Sequence, residues 1–231
     1  MFDKKGRRSD AARAKGRVTL TRTDIIRAGA QLLDSEGLEG ISMRKLASIL
    51  DTGPATLYWH VRDKDELLAL ILDETLQPVE TPGEGDWAER LIAVVCATRQ
   101  ALLPRPALVR VIWDAGWDIG PQTLRIAEAM ISLVAESGLP AEQVADAYFA
   151  VLTFLLGFVL AETAGVGTPR FGTHPLAGPT DANNRAVTVE QFPTLARFGP
   201  ATDPEGMERR FRHGLTMLME GIRTNVDRQA E

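Results

Sequence analysis

Sulfhydryl chemistry is nearly absent: Cys96 is the only cysteine in 231 residues. No disulfide can form within the chain, and a cysteine-based zinc cluster is excluded. A reducing compartment, the cytoplasm, is the expected setting. Long apolar runs are missing as well. The longest uncharged apolar stretch, residues 147–161, has 15 residues, short of the roughly 20 that span a bilayer as a helix. It reads as a buried core helix, and no membrane partner is expected. The basic start of the chain has no apolar segment behind it, which an export signal would require. Also missing are Gly-x-Ser-x-Gly, a phosphate-binding lysine loop, His-Glu-x-x-His and any cysteine pair. The reading is therefore not an enzyme, with no catalytic residue, no metal site and no cofactor assigned.

Lysine is missing from the whole chain beyond position 64. Residues 1–64 hold 13 Lys or Arg against 8 Asp or Glu, and residues 65–231 hold 13 against 23. A basic head on an acidic body fits a polyanion met at one end only, because positive surface attracts phosphate while the acidic remainder limits non-specific adhesion. A solvated tail gives the same imbalance.

The apolar periodicity is helical throughout, so the fold class is all-α. Residues 1–20 are rich in Lys, Arg, Gly and Ala without apolar period and read as a disordered basic arm. Residues 21–66 read as a three-helix helix-turn-helix domain, with helices at about 24–36, 42–51 and 54–60. Gly37 suits a helix end, Ser42 an N-cap, and Pro54 the first position of the third helix, where its missing N–H costs nothing. Asp63 with Glu66 three residues later opens a fourth helix. Residues 67–231 read as a larger helical domain with helices at 87–103, 105–117, 121–136, 140–164 and 204–226. Between the last two, residues 165–204 carry 5 Gly and 6 Pro and read as a flexible loop, in which Phe192, Leu195 and Phe198 are spaced for a short docking helix.

The third helix is the informative one. Thr56, Tyr58, Trp59 and His60 sit where only Leu57 is needed for a core, which suits a helix that enters the DNA major groove while its neighbour braces against the backbone. Core aromatics with exposed tips are the alternative for Tyr58 and Trp59. Arg44-Lys45-Leu46-Ala47, then Pro54-Ala55-Thr56-Leu57-Tyr58-Trp59-His60-Val61, then Lys64 resembles the DNA-binding head of the TetR family, closest in pattern to its tetracycline-responsive members. The likeness runs weakly through the body, over about residues 20–226.

That resemblance implies a homodimeric repressor that binds a palindromic double-stranded DNA operator and is released by a small-molecule effector. The alternative is a dimeric helical adaptor whose head binds protein. The resemblance makes Arg44 a reader of guanine O6 and N7, places Lys45, Thr56, Tyr58, Trp59 and His60 among the base and phosphate contacts, and makes Lys64 a phosphate clamp at a helix N-terminus. Pro54 and Ala55 depart from the base-reading glutamine and proline of the tetracycline-responsive members, which implies a different operator. Residues 140–164 and 204–226 correspond to the helices that pair with a second copy.

Histidine is the last absence. His60, His174 and His213 are the only ones, so none lies between residues 61 and 173, where tetracycline-responsive members hold the drug and its magnesium ion. Glu80 stands where one such histidine would be, and Met130 near a drug-binding glutamine. An apolar or aromatic effector is expected instead, with Trp113, Trp117, Met130, Phe149 and Phe154 as walls and Thr98, Arg99, Asp114 and Thr153 as polar anchors. The same residues equally describe a helical core.

Overall fold

The structure, a computed structural model, describes residues 20–114, 119–163, 193 and 204–230. The basic arm, Trp117 and the proposed docking helix at 192–198 lie outside the described residues, apart from Pro193. Among the described residues there are nine helices and no strand. The chain divides into two compact units after Ile71.

The first unit contains α1 (Arg22–Gly40), α2 (Met43–Ile49), α3 (Pro54–Tyr58) and the opening turns of α4 (Lys64–Leu76). α1 begins two residues before the expected start because Thr21 caps it: its Oγ accepts from the Asp24 N–H, and the Asp24 carboxylate accepts from the Thr21 N–H. Gly37 interrupts the helix as expected, with φ +70, and Ser42 caps α2 by accepting from the Lys45 N–H. The left-handed residue of the following turn is Asp51, φ 47, a residue type that tolerates that region. Gly53 is extended, with φ −82, and Pro54 takes the first helical position. α3 closes two residues earlier than expected, where the Val61 and His60 N–H groups both donate to the Leu57 carbonyl.

The core of this unit is Ile25, Leu32, Leu33, Leu46, Leu57, Val61, Leu67 and Ile71, none more than 4% exposed. α1 and α4 approach closely at Gly29, where an added Cβ would stand 3.1 Å from side-chain atoms of both Leu67 and Ile71.

The second unit holds the end of α4 with α5 (Trp87–Leu102), α6 (Ala107–Asp114), α7 (Pro121–Ala135), α8 (Ala141–Thr163) and α9 (Pro204–Ala230). α5 and α6 are bent by 116° at the break between them, where Pro104 and Pro106 interrupt the helical hydrogen bonding. α5 and α9 are tied at both ends. Asp86, the N-cap of α5, accepts from Arg223 of α9 at 2.6 Å. At the other end the Arg99 guanidinium, 2% exposed, makes a side-on pair with Glu162 of α8, 2.9 Å on both bonds, and a third bond to Glu208 of α9. It also lies 4.7 Å from the Phe211 ring centroid. One buried cation thus gathers three helices, and its partners also satisfy the buried donors.

α8 corrects the expectation of a buried core helix. Its 23 residues are long and apolar enough to cross a membrane by composition, yet Val151, Leu155, Leu156 and Val159 alone are buried, while Phe149 and Leu160 stand exposed. It has one face in the body and one apolar face outside.

The Arg99 hydrogen bond, more than the neighbouring Arg212, holds the Glu208 carboxyl below its usual 4.5. A depressed carboxyl stabilises the fold above its ordinary value and loses that contribution as pH falls through the lowered one. Glu208→Gln should therefore lower the urea midpoint at pH 7, with the gap to the native chain narrowing below pH 4.5. A gap independent of pH would show that the pair contributes no charge-dependent stability.

Candidate functional site

Two features can carry function, one in each unit. In the first unit, α2 and α3 present a surface that the core does not use. Leu57 is fully buried, while Tyr58 is 54% and Trp59 89% exposed. Arg44, Lys45, Pro54, Ala55 and Thr56 are exposed too, and His60 and Lys64 half-buried. Five apolar or aromatic side chains of a short helical segment cannot all face one core, and here the core takes only Leu57 and Val61. The alternative of Tyr58 and Trp59 as core aromatics does not hold.

The cations of this surface are not equally free. Lys45 pairs with Glu36, joining α2 to the end of α1. Lys64 Nζ donates to the Leu38 carbonyl at 2.7 Å, so one of its three donors is committed and two remain for an outside acceptor. Arg44 has no ion-pair partner among the described residues. α4 starts behind Asp63, whose carboxylate accepts from the Glu66 N–H at 2.8 Å, while the Glu66 carboxylate reaches back to the Arg62 N–H. The Glu66 bond is also the largest cause of the lowered Asp63 carboxyl, ahead of the bond to Arg62.

In the second unit a cavity of roughly 60 Å³ lies among five helices. Its walls are Leu76 at the end of α4, Thr98 of α5, Ile112 of α6, then Ile119 before α7 and Thr123, Ile126, Ala127 and Met130 on it. Tyr148, Leu152, Leu155 and Leu156 of α8 complete it. No charged side chain lines it. Both threonine hydroxyls are occupied internally: Thr98 donates to the Val94 carbonyl at 2.8 Å and Thr123 to Asp73 at 3.3 Å. Burial pushes the Tyr148 phenol above its usual 10.0, keeping it protonated.

Of the residues expected to form a ligand pocket, Thr98 and Met130 line this cavity. The others stand elsewhere. Arg99 is committed to Glu162 and Glu208. Phe154 stacks on Phe211 at 5.4 Å and lies against the α9 backbone at Gly214, where an added Cβ would be 2.5 Å from its ring. Trp113 and Phe149 meet edge to face, 6.2 Å apart, and both are exposed. Asp114 pairs with Arg110 on the surface, and Thr153 is exposed. Sequence reasoning favoured aromatic and polar residues, whereas the cavity is built mainly of Ile and Leu, which look the same in a core and in a binding wall. Among the described residues no cluster of three or more His, Cys, Asp or Glu could hold a metal ion.

A short helix pair joined by a tight turn with an exposed polar-aromatic second helix, ahead of a cavity-bearing helical body, defines the class of one-chain helix-turn-helix regulators. The chain belongs to the TetR family of bacterial regulatory proteins: residues 25–71 match the profile described as bacterial regulatory proteins, tetR family, and residues 78–226 the profile for the tetracyclin repressor-like C-terminal domain. It is 31% identical over 205 residues to the class A tetracycline repressor of transposon 1721 from Escherichia coli, covering 86% of this chain and 88% of that repressor. Among solved structures it is similar to ActR from Streptomyces coelicolor in its apo form, with TM-score 0.72 and 29% identity over 91% of this chain and 98% of that one. The ActR complex with actinorhodin gives TM-score 0.70 and 30% identity over 90% and 98%.

The exposure of Trp59 separates a surface role from a packing role. Trp59→Ala should change unfolding stability by less than about 0.5 kcal/mol, whereas Leu57→Ala should cost about 2–5 kcal/mol. Thermal or urea unfolding of the two variants tests this, and a large loss for Trp59→Ala would return the residue to the core.

Proposed function

We infer that the chain is a ligand-responsive transcriptional repressor that binds a palindromic operator as a homodimer and lets go when a small effector enters its body. The single observation that carries this is the α2–α3 surface, where Arg44, Thr56, Tyr58 and Trp59 are exposed around a buried Leu57. Arg44, free of any ion pair among the described residues, is suited to bidentate contact with a guanine. Thr56, Tyr58 and His60 are suited to bases or phosphates, Lys64 to a phosphate with its remaining donors, and Lys45, Pro54, Ala55 and Trp59 to the groove around them. A DNA-binding protein of this kind works in the cytoplasm.

Dimerisation is supported by the outer apolar face of the body. Phe149, Thr153, Gly157 and Leu160 recur along α8 at helical spacing and all are exposed, as are Met217 and Gly221 on α9. A second copy of the same face would bury this surface, and two recognition helices about 34–36 Å apart would then meet successive major grooves. Leu160→Arg should convert the dimer to monomers in sedimentation and weaken operator binding with it.

The effector differs in kind from tetracycline with magnesium. The relative's name ties it to tetracycline, but the cavity here offers neither histidine nor carboxylate to a metal. Its walls suit an uncharged, largely apolar molecule, since an unpaired charge would be expensive to bury there.

Operator binding is tested with the DNA upstream of the chain's own gene against random duplex at moderate salt. A clear preference is expected. Arg44→Ala should cost about 1–3 kcal/mol and relax specificity at one base pair, and tetracycline with magnesium should leave the complex intact. No preference for the upstream DNA would favour the adaptor reading and overturn this one.

A further inference from the structure

The basic excess of residues 1–64 does not come from the helices of the head. Residues 20–64 hold six Lys or Arg against six Asp or Glu, so this segment is neutral, and five of its six cations already have an internal acceptor. Arg22, Arg27 and Arg62 pair with Glu66, Asp24 and Asp63, and Lys64 donates to the Leu38 carbonyl. The fifth is Lys45, whose Nζ donates to both carboxylate oxygens of Glu36. Arg44 alone has no ion pair among the described residues.

The Lys45–Glu36 pair stands out by its place and by its construction. Lys45 follows Arg44 in the first turn of α2, on the exposed surface that faces DNA in the repressor reading. Both side chains are open to water, Lys45 at 44% and Glu36 at 38%, so a phosphate could reach Nζ wherever the carboxylate did not already hold it. Glu36 is confined. It precedes Gly37, whose φ of +70 turns the chain, and the backbone at Gly40 comes back against its side chain, where an added Cβ would lie 2.8 Å from Oε2. An exposed ion pair adds little to stability. Its effect on an approaching polyanion is larger, because it neutralises one of the few cations that the surface offers.

We propose that Glu36 acts as an internal substitute for a DNA phosphate: it occupies Lys45 and lowers the affinity of the head for the duplex backbone, while Arg44 beside it is left free to read a base. This rests on the repressor reading above. Phosphate contacts add affinity on every sequence alike and carry no sequence information. A head whose phosphate-seeking lysine is occupied therefore dwells less on unrelated DNA and depends on its base contacts to hold an operator.

The test compares the full native chain with Glu36→Gln, which keeps the shape of the side chain and removes its charge, with Lys45→Gln and with the double variant. Each is titrated by fluorescence anisotropy with the DNA upstream of the chain's own gene and with random duplex. Glu39→Gln reports the effect of net charge alone, since Glu39 is an exposed carboxylate three residues on that has no ion pair among the described residues. At about 0.1 M salt Glu36→Gln is expected to bind both duplexes about three- to tenfold more tightly than the native chain. The gain should vanish when Lys45 is also Gln, and Glu39→Gln should give a smaller one. No gain, a gain that persists without Lys45, or one that Glu39→Gln matches would overturn the proposal. Weaker binding by Glu36→Gln would overturn it too, and make the pair a brace between α1 and α2. Absence of DNA binding by the native chain would instead remove the repressor reading, and this inference with it.

Discussion

The carboxylate of Asp73 is the constraint on which the body's arrangement around its cavity depends. A helix with Gly at its N-cap and Pro at its first position has no capping side chain of its own there, and α7 takes its cap from 49 residues earlier in the chain. That choice dictates Gly120, where no side chain fits, and it draws Gln122 back to the last carbonyls of α4. The end of α4 and the start of α7 thereby become one hydrogen-bonded unit, and the cavity inherits two of its walls from it. The rest of the cavity is apolar packing.

The two ends of α5 show a second division of labour. Asp86 with Arg223, and Arg99 with Glu162 and Glu208, hold α5, α8 and α9 together at their termini. A buried guanidinium is weak evidence for stability in itself, because desolvation offsets much of the attraction. Its value here is geometric: it fixes where α8 ends and α9 begins, on either side of the long Gly- and Pro-rich segment. With those ends fixed, α8 can be apolar on two faces, one packed into the body and one left for another copy of the chain.

Much of this was legible in the sequence, and the reasons differ from residue to residue. Ser42, Gly37, Pro54 and Asp63 act through their own backbone neighbours, so their roles as caps, breaker and first-turn residue could be read directly. The start of α1 was missed by two residues because Thr21 and Asp24 form a cap with Asp in place of the usual Glu. The exposed character of Tyr58 and Trp59 was legible because a five-residue helix with one buried leucine has no room for more. Arg99 and Phe154, expected as ligand contacts, stand away from the cavity for the opposite reason: their partners, Glu162, Glu208, Phe211 and Gly214, lie from 57 to 109 residues away, and nothing local announces them.

The helical period, the confinement of lysine to the first 64 residues and the Arg44 to Lys64 motif were enough by themselves to place this chain among DNA-binding regulators. Local chemistry, acting within a few residues, determined all of that. Only the tertiary structure decided which apolar residues enclose a void, which face of α8 is left bare, and that the cap of α7 belongs to α4. Each of these depends on contacts between segments far apart in the chain, where an isoleucine in a wall and an isoleucine in a core carry the same letter.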